Sequence, residues 1–118
     1  LKIWMDALTP KQLIFLDAIR RRLEELGHDV FTTTRSYHDA NYVVQRLDLD
    51  VTFVGGHGGA SVSAKLEASL RRSLDLARMM EGRSFDMAFS FSSPEAARVS
   101  FGLGIPHYAA NDSPHSQA

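Results

Sequence analysis

Five short apolar runs alternate along this chain with longer stretches whose apolar residues recur every three or four positions. The runs are Leu1–Met5, Asp29–Thr34, Val51–Val54, Met87–Phe91 and His107–Ala110. Their length and their β-branched or aromatic content predict strands. Between the first two, Leu13, Leu16, Ile19, Leu23 and Leu26 form one helical stripe. Tyr37–Leu47 predicts a short helix. Val62, Leu66, Leu70, Leu74 and Ala77 form a second long stripe. Pro94–Leu103 predicts a helix whose small residues, Ala96, Ala97 and Ser100, allow close approach to a sheet. Gly27, Gly82 and Gly104 stand just past three of these helices, where glycine favours termination. The expected core includes Leu16, Ile19, Leu66, Leu70, Phe89 and Val99.

Strands alternating with helices imply βαβ units and a parallel sheet. Right-handed crossovers then give a doubly wound, three-layer α/β domain of Rossmann-like type, most simply in strand order 3-2-1-4-5. Ligands of such sheets bind outside the carboxyl ends of the strands, where the order reverses. Here that point lies between strands 1 and 4, bordered by the loops Asp6–Thr9 and Ser90–Ser93, with Asn111–Ser113 alongside. Three loops end in the same way: Thr9-Pro10, Ser93-Pro94 and Ser113-Pro114 each place an N-cap before a proline suited to the first helical position. Thr9 and Gln12 have capping-box spacing, and Ser61 or Ser63 caps the helix after strand 3. Three helix N-termini at adjacent strand ends suggest an anion site between Thr9, Ser93 and Ser113, because their N–H groups and partial positive charge converge. Ser92, Glu95 and Asn111 join it as ligand-binding candidates, with Pro10 fixing its turn. The competing explanation is that these are ordinary helix starts.

Gly55-Gly56-His57-Gly58-Gly59 follows strand 3. Gly55, Gly56, Gly58 and Gly59 allow close backbone approach to a phosphate, or equally a mobile turn. The cluster is neither a GxGxxG fingerprint nor a Walker loop, since no Gly-Lys-Ser/Thr follows. Candidates for proton transfer are His57 in this loop, Asp6 at the end of strand 1, Asp112 after strand 5, and His115 in the first turn beyond Pro114. Each has a plain alternative as a solvated loop side chain. His28, His38 and His107 read as structural. No histidine pair has the spacing of a helical metal site, so no metal and no cofactor is expected. Arg20-Arg21-Arg22, followed by Glu24 and Glu25, reads as a solvated helix face near a C-terminus.

Composition narrows this only slightly. The 118 residues suffice for one domain, and a net charge of −1 gives no reason to expect nucleic acid. Absence of cysteine excludes disulfides and thiolate metal sites and favours a cytoplasmic setting. No apolar run approaches the roughly 20 residues of a membrane span, and no signal peptide is visible. A helix cap at Ser113 near the last residue, Ala118, leads us to expect one domain, residues 1–118, of a longer protein.

The segments KIWMDALTPKQ, VGGHGG, FSFSSPEAARVSFGLGIPH and NDSPHSQA together resemble the N-terminal domain of a family of unknown function found chiefly in archaea and some bacteria. That family is similar to GT-B glycosyltransferases and UDP-N-acetylglucosamine 2-epimerases. The resemblance implies two Rossmann-like domains with a cleft between them, the second holding most nucleotide-sugar contacts. It departs from the epimerases at two positions: Ser92 and Asn111 stand where those enzymes place an Asp and a Glu. Asp6–Thr9 also replaces the glycine-rich loop that lipid glycosyltransferases carry after strand 1. The resemblance therefore favours glycosyl transfer over epimerisation. The alternatives are a non-catalytic anion- or nucleotide-binding module and a sugar-phosphate-processing enzyme. The expected partner is a nucleotide sugar or phosphorylated small molecule.

Overall fold

The first strand sets the register of the whole domain. In β1 (Lys2–Ala7), both alternating sets of side chains are buried: Ile3, Met5 and Ala7 on one face, Trp4 and Asp6 on the other. A strand covered on both sides belongs at the centre of a parallel sheet. The computed structural model, which describes residues 1–36 and 38–111 (for His38 the backbone only), places it there. The elements that follow are α1 (Pro10–Glu25), β2 (Asp29–Ser36), α2 (His38–Leu47), β3 (Thr52–Gly56), α3 (Val62–Met80), β4 (Met87–Ser90), α4 (Pro94–Leu103) and β5 (His107–Ala109). All neighbouring strands are parallel, in order β3-β2-β1-β4-β5. The expected Rossmann-like topology is thus the observed one.

Two apolar clusters glue the layers. Ile3, Met5, Leu13, Leu16, Val30, Ala40 and Leu49 join the sheet to α1 and α2. Trp4, Val54, Leu76, Met80, Ala88, Ala96 and Val99 join it to α3 and α4. The helix starts are capped as their sequences predict. Thr9 Oγ1, Ser61 Oγ and Ser93 Oγ accept from the backbone N–H groups of Gln12, Ala64 and Ala96. Gln12 Oε1 in turn accepts from Leu8 N–H at 2.9 Å. At the far end of α4, Gly104 takes the left-handed conformation (φ 71°) that closes the helix.

Several sequence expectations need correction. β1 continues to Ala7, so Asp6 lies within the sheet and not in a loop. β2 extends to Ser36, and β3 takes in Gly55 and Gly56. β4 and β5 each stop one residue short of the expected end. The larger correction is α3. Its apolar stripe faces outward, with Val62, Leu66, Leu70 and Leu74 all exposed, and the buried face is Arg72, Ser73, Leu76 and Met80. The helix turns its polar residues inward because the sheet beneath presents a buried carboxylate that needs a cation. Ile19 and Phe89, expected in the core, are half-buried. Leu16 and Val99 are buried as expected.

Candidate functional site

The carboxyl edge of the sheet is built on one ionic network. Asp6 and Arg72 are each 1% exposed, and Glu95 is 4% exposed. Arg72 crosses from α3 and donates through Nη2 to Asp6 Oδ1 (2.6 Å) and through Nη1 to Asp6 Oδ2 (2.9 Å) and Glu95 Oε1 (3.2 Å). Its Nε donates to Val54 O at 2.7 Å. Burial alone would lower the Arg72 pKa; the hydrogen bonds and charge of Asp6, then of Glu95, overcome this and raise it. Asp6 also accepts from Thr33 Oγ1 (2.7 Å) and Ser93 Oγ (2.6 Å), and Thr33 accepts from the indole N–H of Trp4 (2.8 Å). Ser69 Oγ donates to Glu95 Oε2. Five elements are thereby locked to one another: β1, β2, β3, α3 and the start of α4.

This network accounts for the α4 cap. Ser93 Oγ accepts from Ala96 N–H and donates to Asp6, so the N-terminus of α4 already has two protein carboxylates, Asp6 and Glu95, beside it. Ser92 adopts a left-handed φ of 56° and donates to Ala110 O. Asn111 is exposed and engaged with the protein. Asp112, Ser113 and His115, the remaining members of the expected crevice, lie outside the described residues. Thr9 and Pro10 are half-buried at the start of α1.

A polar cavity of about 330 Å3 opens above the network. Its lining is Leu8, Arg35, Gly56, His57, Lys65, Ser69, Pro94 and Glu95. It therefore gathers the ends of β1, β2 and β3 with the first turns of α3 and α4. The glycine loop after β3 borders this cavity together with the start of α4. Each glycine has its own role there. A Cβ on Gly55 (φ 74°) would stand 2.7 Å from Cγ of Arg72, and one on Gly58 (φ 93°) 2.8 Å from Cβ of Ala68. These two glycines let the loop pass close to α3. Gly56 lines the cavity, and Gly59 faces open space.

Of the proton-transfer candidates, His57 lies at the cavity and Asp6 is committed beneath it. Arg35, Lys65, Ser69 and Arg72 escaped the sequence reading. A signal for Arg72 existed: an aspartate flanked by buried strand positions requires a counter-charge, and Arg72, Leu76 and Met80 share one helical face. His107 makes a structural contact, its Nε2 lying 2.9 Å from Ser90 Oγ, which also accepts from Ser93 N–H. Arg21 and Arg22 are exposed, as the solvated-face reading expects, but Arg20 is only 13% exposed and pairs with the buried Asp17 as well as with Glu24, so that reading does not hold for it. Among the described residues no group of His, Asp or Glu is arranged to hold a metal, and no helix is long and apolar enough to cross a membrane.

Comparison with known proteins places this geometry. The profile of the family described as "Protein of unknown function (DUF354)" matches residues 1–118, and the chain belongs to that family. No curated protein matches it in sequence. Among solved structures it is similar to MurG from Acinetobacter baumannii, with a TM-score of 0.78 at 13% identity over 99% of this chain and 36% of that one. The glycosyltransferase VinC, solved in complex with DTDP, is similar with a TM-score of 0.69 at 13% identity over 92% of this chain and 34% of VinC. The C-terminal domain of PF1911 hydrogenase from Pyrococcus furiosus matches with a TM-score of 0.69 at 18% identity over 92% of this chain and 89% of that one. At such identities the likeness establishes the fold alone. The chain spans about a third of the length of MurG and of VinC.

Proposed function

We propose that this DUF354 member is the N-terminal half of a two-domain GT-B-like protein that handles nucleotide sugars, with glycosyl transfer as its reaction. In this reading the domain supplies the acceptor side of an interdomain cleft, and the second domain supplies most contacts to the nucleotide. The observation that carries the proposal is the polar cavity at the carboxyl edge of a sheet whose fold is similar to about a third of MurG and of VinC. Open α/β sheets bind ligands at that edge, and a group-transfer enzyme needs polar and titratable side chains there. His57 is the proton-transfer candidate at the cavity wall, while Asp6 and Arg72 hold the floor rigid. Ser92 and Asn111 in place of the epimerase acids support transfer over epimerisation. The protein operates in the cytoplasm, where nucleotide sugars are available.

The test is turnover. The complete protein, incubated with a panel of UDP- and dTDP-sugars, is expected to release nucleoside diphosphate at a rate that His57→Ala reduces about 100-fold, as loss of a general base does. Interconversion of the sugar without release of nucleoside diphosphate would instead indicate an epimerase.

A further inference from the structure

We infer, resting on that reading, that the acceptor is a sugar: Glu95 and Ser69 receive two neighbouring hydroxyls of a pyranose ring in the cavity. What carries this is the hydrogen-bonding capacity that the ionic network leaves open. Each oxygen of Asp6 takes two donors, Arg72 and Thr33 on Oδ1, Arg72 and Ser93 on Oδ2, which fills the acceptor sites of a carboxylate. Glu95 differs. Among the described residues each of its oxygens takes one donor, Arg72 Nη1 on Oε1 and Ser69 Oγ on Oε2, both at 3.2 Å, so each oxygen keeps an open lone pair. Glu95 is buried, yet it forms part of the cavity wall, as does Ser69. Ser69 has spent its one hydroxyl proton on Glu95 and is left with acceptor sites only.

Two adjacent acceptors, one of them charged, call for a ligand that donates. An anion would meet the Glu95 carboxylate, and an aliphatic ligand would cover its lone pairs without pairing them. Lys65 in the same wall disfavours an amine through like charge. Neighbouring hydroxyls of a sugar ring supply two neutral donors side by side. Leu8 and Pro94 in the wall offer apolar surface to the C–H face of such a ring. The volume, about 330 Å3, stands at the small end of the roughly 300–1,000 Å3 of ligand pockets, as one ring requires. Arg72, itself fixed by Asp6, holds the Glu95 carboxylate in place before the ligand arrives, which lowers the cost of ordering it.

The experiment titrates the complete protein, without any nucleotide sugar, with the methyl glycosides of glucose, galactose and mannose while backbone amide shifts are recorded. At least one is expected to bind with Kd of about 1–10 mM and to move the amides of Gly56, Ser69 and Glu95. Glu95→Gln is expected to weaken that binding about tenfold and Ser69→Ala about threefold, the charged acceptor counting for more. Thr33→Val, which removes a donor from Asp6 and leaves the cavity wall as it is, is expected to have no effect on it. Among monodeoxy forms of the bound glycoside, one is expected to bind the wild type about tenfold more weakly than its parent and Glu95→Gln no more weakly. Binding by none of the three glycosides, shifts centred away from Ser69 and Glu95, additive losses for the deoxy sugars and Glu95→Gln, or equal weakening in Thr33→Val would each overturn the site. A UDP- or dTDP-sugar that displaces the glycoside from these amides would assign the cavity to the donor sugar and overturn the acceptor assignment. Because the glycosides are titrated without a donor, absence of turnover leaves the sugar site standing, and absence of the site leaves glycosyl transfer to other acceptors standing.

Discussion

Arg72 closes on both carboxylate oxygens of Asp6, at 2.6 and 2.9 Å, across 66 residues of sequence and with both side chains almost wholly out of water. Taking one partner away strands the other as a buried charge, which costs about 3–5 kcal/mol. Arg72→Met and Asp6→Asn are each expected to lose that much in urea unfolding. The double variant is expected to lose clearly less than the sum of the two. Strict additivity would show that the two groups are not coupled.

The outward turn of α3 makes a second prediction. Leu76 is fully buried and Leu70 is about half exposed. Leu76→Ala is expected to cost about 2–5 kcal/mol, as cavity-forming core changes do. Leu70→Ala is expected to stay within about 0.5 kcal/mol, as surface changes do. The reverse order in denaturant midpoints would return the Leu66–Leu70 face to the interior.

These two relationships mark what was legible in the sequence. The strand order was, because βα alternation and right-handed crossovers leave few topologies, and Ser93-Pro94 with Gly104 fixed both ends of α4. The inward face of α3 was not. Hydrophobic periodicity assumes that the buried face is the apolar one, and Asp6 reverses this by demanding Arg72 there. Periodicity cannot see a partner 66 residues away. The polar cavity was half legible: the glycine loop and His57 stood out, but nothing in the local pattern marked Arg35 or Lys65. Only the fold brings the ends of β2 and β3 beside the first turn of α3.

Gly55 and Gly59 both have positive φ, but only Gly55 has Arg72 against it. Gly55→Ala is expected to cost about 1–3 kcal/mol, combining backbone strain with displacement of the Arg72 stem. Gly59→Ala is expected to carry only the backbone part, about 1 kcal/mol. Equal losses in thermal unfolding would remove the close approach to Arg72 as the reason for Gly55.

His107 supplies a pH signature. Burial lowers its pKa below the ordinary 6.5, against a weaker opposing pull from the charge of Asp6. The unfolded chain therefore takes up a proton at higher pH than the folded one. Stability is complete above the unfolded value and falls as pH drops from about 6.5 through the folded pKa. His107→Gln is expected to flatten this part of the stability–pH curve. An unchanged slope in the variant would place the titration elsewhere.

In the proposed function this domain forms one wall of a nucleotide-sugar cleft whose other wall belongs to a second domain. The most direct measurement compares calorimetric titration of UDP- and dTDP-sugars into residues 1–118 and into the complete protein. Saturable binding to the complete protein is expected, with Kd of about 1 mM or tighter, and binding to residues 1–118 at least about tenfold weaker. Equal affinity for the two would place the nucleotide-sugar site wholly within this domain, and no binding to the complete protein would remove the nucleotide sugar altogether.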